Sequence, residues 1–261
     1  MIRDEFTPLS VSRYMTEKRE VIIIDEADSS NNIAKELARG GAPEGTVIAV
    51  KKQTQGRGRM GRSFISFSEN GLYMSVILRP EISPDKCVDI TVIGAVAVSR
   101  VIEKLSKRPC SVKWVNDIYI DEKKVCGILT EASIKDGKIE YAVIGIGVNI
   151  TPPEGGFSHE ISDIACAMFD NDAPSDIKSR LLSEIVDSLF EIYKELGSGS
   201  YMSEYRSRSN IIGREVDVYR GNDVISGVCV DIDENANLVV KTDAGTRIFG
   251  SGDARVRKNE K

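Results

Sequence analysis

The chain has 261 residues, 41% of them hydrophobic and 29% charged, with a formal net charge of -5. That is enough for one large domain, or a large and a small one, and the mild acidity excludes the broad basic face that non-specific nucleic-acid binding needs. A single histidine, His159, and five cysteines without a CxxC pair argue against a zinc site, a disulfide framework and any histidine-dependent triad or dyad. The start Met-Ile-Arg-Asp-Glu-Phe carries no apolar signal region, and no run of about 18 apolar residues follows. Neither export nor a membrane span is expected, and the cytoplasm is the default location.

A short helix is predicted over 8–19, after Pro8. The β-branched run Val21-Ile22-Ile23-Ile24 reads as a buried strand. Asp28-Ser29-Ser30-Asn31 offers N-cap side chains to a helix with Ile33, Leu37 and Ala38 on one face, ending near Gly40-Gly41. A strand over 47–51 leads into a glycine and arginine loop from Gln53 to Arg62. The segment 72–78 reads as a strand of alternating character, and 91–105 as a buried helix. Val112, Trp114, Asn116, Ile118 and Ile120 alternate with Lys113, Val115, Asp117 and Tyr119, which predicts one strand over 112–120. It turns at 121–124 into 125–133, and 139–150 alternates again, giving three adjacent antiparallel strands. Ile177, Leu181, Ile185, Leu189, Ile192 and Leu196 mark an amphipathic helix over 174–196 stopped by Gly197, with a shorter helix over 201–208. After Gly213 come four short strands, 215–219, 223–232, 237–241 and 246–250, with turns at Gly221-Asn222, Glu234–Asn237 and Ala244-Gly245. They predict a small barrel or sandwich beyond a boundary near Ser209-Asn210, so 1–209 and 210–261 are taken as two domains.

Three clusters carry chemistry. Gly56-Arg57-Gly58-Arg59-Met60-Gly61 fits G-x-G-x-x-G, but Ser63-Phe64-Ile65-Ser66-Phe67 and a strand follow where a dinucleotide-binding loop would open a helix. What remains is a loop whose glycines permit close backbone approach and whose Arg57, Arg59 and Arg62 supply bidentate donors to phosphate or carboxylate. Lys113-Trp114-Val115-Asn116-Asp117 is the second cluster. In a central strand Lys113 would be costly to bury without an anionic partner; in an edge strand it would stand in water. Gly127, and Gly145-Ile146-Gly147-Val148-Asn149, remove side chains from one face of their strands, leaving room for a flat ligand or a packed neighbour.

Together these clusters resemble the catalytic domain of the biotin–protein ligases. The matching residues are Asp28-Ser29-Ser30-Asn31, Gln53 with the loop Gly56–Arg62, Lys113–Asp117, Gly127-Ile128-Leu129 and Gly145–Asn149, and the terminal strands resemble that family's SH3-like barrel. The resemblance implies an α+β fold: a mixed central β-sheet with helices on one side, as in class II synthetases, plus the small C-terminal β-barrel. It implies formation of biotinyl-5′-AMP from biotin and ATP, with Mg2+ on the phosphates, then transfer to a lysine of a biotin carboxyl carrier protein. Arg59 and Lys113 would stabilise the reacting carboxylate and α-phosphate. Ser29, Ser30, Asn31, Gln53 and Gly127 would line the biotin pocket, and Gly56, Arg57 and Gly58 would close over the adenylate. Arg62, Trp114, Asn116 and Asn149 would join Arg59 at the nucleotide. The family usually has proline where Val115 stands and threonine where Ser30 stands, and some members have arginine in place of Met60.

Residues 1–20 are too few for the winged helix-turn-helix domain of some members, so no operator binding is expected. The protein would be a monomer or a homodimer, with the strand over 139–150 as a possible pairing edge. The competing readings are a lipoate–protein ligase, a ligand sensor without turnover, and a nucleic-acid module. The last is disfavoured by charge and by a terminal domain whose only aromatics are Tyr219 and Phe249.

Overall fold

The structure is a computed structural model that describes residues 5–62, 66, 70–221 and 223–257. The expected chain segments at Met1–Asp4, Ser63–Ile65 and Phe67, and Asn222 of the first terminal turn, lie outside the described residues.

The main body is a seven-stranded sheet in the order β1-β2-β3-β7-β6-β5-β4. Its strands are β1 (Val21–Ala27), β2 (Val47–Gln53), β3 (Gly71–Leu78), β4 (Ser111–Lys113), β5 (Asp117–Ile120), β6 (Lys123–Lys135) and β7 (Lys138–Asn149). Only β1 and β2 pair in parallel, and the helix α2 (Ser30–Arg39) makes the crossover between them. The sheet is therefore mixed, as the resemblance implies.

Helices cover both faces rather than one. Val47, Ala49, Met74, Val76, Ile144 and Ile146 point to the side packed by α3 (Val88–Ser106) and α4 (Ile177–Tyr193). Their alternates Ile48, Val50, Ile77 and Val143 meet Ala34 and Ala38 of α2 on the opposite side. The two alanines let α2 lie close to the sheet, while Ile33 and Leu37 flank it half-buried. This double cover is also why β3 is buried at every position instead of alternating.

Three further expectations change. The first helix, α1 (Pro8–Ser12), is shorter than expected, and beyond it the backbone N–H and hydroxyl of Thr16 both donate to the Asp187 carboxylate at 2.8 Å. The strand over 112–120 is a hairpin: β4 and β5 pair antiparallel, with Val112 opposite Ile118, and the chain reverses through Trp114–Asn116. Trp114 and Val115 are both buried, which neighbours in one half-buried strand cannot be. Finally, β7 lies inside the sheet between β3 and β6 and offers no pairing edge; the outer strands are β1 and β4.

The shorter helix α5 (Met202–Ser207) leads to the terminal unit. Its strands β8 (Glu215–Arg220), β9 (Asp223–Ile232), β10 (Leu238–Thr242), β11 (Gly245–Phe249) and β12 (Asp253–Val256) form an antiparallel sheet in the order β11-β10-β9-β8-β12. The fifth strand, β12, extends the four that the sequence indicated. Gly252, just before it, has φ +140°, and a side chain there would press on the Tyr219 carbonyl.

The 114–116 reversal is fastened from three directions. The Trp114 indole N–H donates to the Ala236 carbonyl at 2.8 Å, and the Tyr205 hydroxyl to the Val115 carbonyl at 3.0 Å. The Asn116 amide donates to the Ile128 carbonyl at 2.9 Å. Tyr205 is fully buried, so Tyr205→Phe leaves the Val115 carbonyl without its partner and should cost about 1–3 kcal/mol. The urea midpoint should fall with an unchanged slope. An unaltered midpoint would mean that the hydroxyl does not hold the turn.

Candidate active site

α2 covers only part of its sheet face. Beyond its N-terminus the face carries Gly127 and Leu129 of β6 and Gly145 and Gly147 of β7, and these line a pocket. Its walls come from Ser29–Asn31, Gln53, the arginine loop, the 113–117 reversal, Lys124, and Gly252 with Asp253 from the terminal unit.

One end is built of hydroxyls and amides. Ser75, buried on β3, lies 2.7 Å from the Ser30 hydroxyl and 2.6 Å from Asn31 Oδ1. Gln53 Oε1 accepts from the Ser30 backbone N–H at 2.9 Å and so caps α2, while Asp28 accepts from Ser29 N and Asn32 Nδ2. A Cβ at position 145 would collide with Asn31 Oδ1. Glycine there is a condition for the asparagine to sit against the sheet.

The other end is cationic. Arg57, Arg59, Arg62, Lys113 and Lys124 line it, against the carboxylates of Asp117 and Asp253. Arg62 pairs with Asp253 at 2.8 Å and Lys124 with Asp117 at 2.8 Å. Arg57 pairs with Glu131 at 3.2 Å and also donates to Asn32. Arg59 donates instead to a neutral group, Asn116 Oδ1, at 3.1 Å. Among the described residues neither Arg59 nor Lys113 has a carboxylate within ion-pair distance. The Lys113 ammonium stands 5.9 Å from the Tyr119 ring centre, half-buried on the outer strand, so it lies between the two extremes the sequence left open. An anion entering here meets Arg59, held only by a neutral amide, and Lys113, which interacts with Asp253 at longer range without an ion pair.

Of the residues singled out from sequence, Ser29, Ser30, Asn31, Gln53, Arg57, Gly58, Arg59, Arg62, Lys113, Trp114, Asn116 and Gly127 all line this pocket. Gly56 and Asn149 do not. Gly56 precedes the part of the loop that faces inward. Asn149 is two residues past Gly147, beyond the pocket's end, where its amide donates to the Cys166 carbonyl at 3.0 Å. Sequence reasoning missed Lys124, Gly252, Asp253 and the anchoring Glu131. Lys124 looked like part of a solvated turn, and Asp253 like the tail of the terminal unit.

No nucleophile–base pair faces the pocket among the residues described, and no group of three or more His, Cys, Asp or Glu residues gathers there to hold a metal. The two carboxylates lining it are both ion-paired, Asp253 with Arg62 and Asp117 with Lys124.

Burial alone would raise the Asp253 carboxyl, but Arg62, with Lys113 and Arg255 near it, outweighs that and holds it below the usual carboxylate range. A carboxyl depressed in the folded state stabilises above its unfolded pKa, and that contribution is lost as pH falls through the lower folded value. The stability difference between the parent and Asp253→Asn should therefore be constant well above the ordinary aspartate pKa of about 4 and shrink on acidification below it. Thermal melts across that range check this; a difference that grew in acid would reverse the assignment.

Comparison with known proteins agrees with this geometry. Residues 24–149 match the model of the Biotin/lipoate A/B protein ligase family, and residues 211–257 that of the Biotin protein ligase C terminal domain. The chain is 32% identical over 238 residues to the bifunctional ligase/repressor BirA of Bacillus subtilis, covering 90% of this chain and 73% of that protein. It is 26% identical over 245 residues to the biotin–[acetyl-CoA-carboxylase] ligase of Mycobacterium tuberculosis, covering 90% and 88%. The structure of the biotin protein ligase from Aquifex aeolicus in complex with biotin and ATP superposes with a TM-score of 0.73 at 27% identity, over 92% of this chain and 99% of that one. With the two family models matched in order, and with the Bacillus subtilis relative covering 90% of the chain, the protein belongs to the biotin protein ligases of the biotin/lipoate A/B protein ligase family.

Proposed function

We infer that the protein is an ATP-dependent biotin–protein ligase. The observation that carries this is one pocket with a hydroxyl and amide end and a cationic end, lined by no nucleophile–base pair among the described residues. Such a site suits a reaction between two anions in which the enzyme supplies only position and charge. A biotin carboxylate oxygen attacks the α-phosphorus of ATP, pyrophosphate leaves, and biotinyl-5′-AMP remains. The amine of a lysine then attacks the acyl carbon, loses a proton, and AMP leaves.

Ser29, Ser30, Asn31 and Gln53 read the ureido ring through hydroxyl and amide groups, and Gly127 leaves room beside it. Arg59 and Lys113, the cations without a carboxylate partner, meet the carboxylate and α-phosphate and stabilise the charge that develops between them. Arg62, Trp114 and Asn116 hold the nucleotide side. Arg57 and Gly58, extended from Gly56, lie over the acyl phosphate and keep water from it. Magnesium arrives on the phosphates of ATP as part of that substrate. The acceptor is a biotin carboxyl carrier protein, that of acetyl-CoA carboxylase in the first instance, and since ATP and carrier are cytoplasmic reactants the reaction belongs there. Residues 1–209 form the catalytic unit and 210–261 a second unit that contributes Gly252 and Asp253 to the site.

Pyrophosphate exchange into ATP tests the reading. Biotin should support exchange, and neither lipoate nor the absence of acid should. Exchange with lipoate alone would change the substrate, and none with either acid would remove the activity. In the same assay Arg59→Ala should slow adenylation by about 10²–10³-fold, the scale for losing one preorganised charge-stabilising donor, with the melting temperature unchanged, and Lys113→Ala should impair the same half-reaction. Near-normal turnover of either variant would take that residue out of the mechanism.

A further inference from the structure

Glu131 lies on β6, two residues beyond Leu129, and three donors converge on its carboxylate, two from α2 and one from the arginine loop. Asn31 Nδ2 donates to Oε2 at 2.9 Å, Lys35 Nζ to Oε1 at 2.9 Å, and Arg57 Nη1 lies 3.2 Å from Oε1. Asn31 belongs to the polar end of the pocket, Arg57 to the arginine loop, and Lys35 to the next turn of α2.

The two oxygens have different consequences. An ionised carboxylate only accepts hydrogen bonds, so Oε2 requires the NH₂ of the Asn31 amide. That leaves Asn31 Oδ1 facing Ser75, with which it is 2.6 Å apart, and Ser75 in turn lies 2.7 Å from the Ser30 hydroxyl. The carboxylate therefore sets the donor and acceptor pattern that the hydroxyl and amide end presents to a ligand. At Oε1 the same group ties Arg57, whose side chain is otherwise 44% exposed, down to the body of the sheet. Burial alone would raise the Glu131 carboxyl, but the bonds from Asn31 and Lys35 and the charge of Arg57 outweigh it, so it stays ionised through neutral pH.

We propose that Glu131 is a positioning residue that couples the acid-binding end of the pocket to the arginine loop, orienting Asn31 for the small acid through one oxygen and anchoring Arg57 through the other. This rests on the ligase reading, since the acid used in the test is biotin. Among the described residues the partners of Glu131 are Asn31, Lys35 and Arg57, and none of Arg59, Arg62, Trp114 and Asn116 on the nucleotide side is among them. Loss of Glu131 should thus fall on the acid and on retention of the adenylate, and spare ATP.

Wild-type exchange with biotin comes first; its failure would sink the ligase reading and leave the Glu131 network as it stands. Given exchange, Glu131→Ala should raise KM for biotin about tenfold or more, with KM for ATP within about twofold of the parent. Glu131→Gln keeps a carbonyl for the Asn31 amide but not the charge for Arg57 and Lys35. It should recover most of the biotin KM yet still release biotinyl-5′-AMP faster. Release is read from Trp114, the only tryptophan of the chain and a pocket residue, by stopped-flow chase. In a double-mutant cycle, Arg57→Ala with Glu131→Gln should release the adenylate no faster than Arg57→Ala alone. Equal rises in both KM values, additive effects of the two substitutions on release, or a lowered melting temperature with unchanged kinetics would each overturn the proposal.

Discussion

The cationic end of the pocket hangs on the reversal between β4 and β5. Lys113 ends one strand, Asp117 begins the next, and Trp114, Val115 and Asn116 carry the chain round. Each of the three has a separate fastening: the terminal unit through Ala236, α5 through Tyr205, and β6 through the Ile128 carbonyl. Asn116 then spends its remaining oxygen on Arg59. The turn therefore places one lysine directly, one arginine through an amide, and brings the terminal unit against the pocket. Remove it, and Arg59 loses its Asn116 partner while Arg62 keeps only Asp253.

Holding many positive charges in one cleft is the second constraint. Like charges at short range repel, and burial makes the repulsion worse. Here the flanking arginines and Lys124 are each matched with a carboxylate from a different element: Glu131 from β6, Asp117 from β5 and Asp253 from β12. Arg59, between them, has only an amide. The arrangement keeps the loop in place while leaving its central charge for a ligand, which a fully paired cluster would not.

The long helices were legible because their periodicity is their burial pattern, whereas the β-branched run at 21–24, expected to be buried, forms the outer strand β1 and is half-buried. The loop and the Lys113–Asp117 cluster were legible because few structural roles need that chemistry at that spacing. The hairpin was not, and the reason is geometric. Val112 and Ile118 lie opposite each other across a three-residue reversal, so Val112, Ile118 and Ile120 keep even numbering and the period of two runs through the turn in phase. β12 and Asp253 were missed because a four-residue strand behind two glycines is indistinguishable from a tail. Asn149 was assigned through the family resemblance, whereas in the structure its amide donates to the Cys166 carbonyl two residues past Gly147.

Why the pocket is where it is follows from side-chain size on one face of the sheet. At one end of that face Ile48, Val50, Ile77 and Val143 are filled in by α2, whose alanines allow close packing. At the other the same face carries glycines at 127, 145 and 147, and α2 reaches them only with its first turn, where Asn31 rests on Gly145. The boundary between the two halves falls at the N-terminus of α2, where Ser30 and Asn31 change from packing residues to pocket residues. Gly145 is the hinge of this exchange, since only without a Cβ can it let the Asn31 amide rest on the strand. A side chain there would move Asn31, and through it Ser75 and Glu131, so the polar end, the loop anchor and the glycine column are one packing decision read at three places.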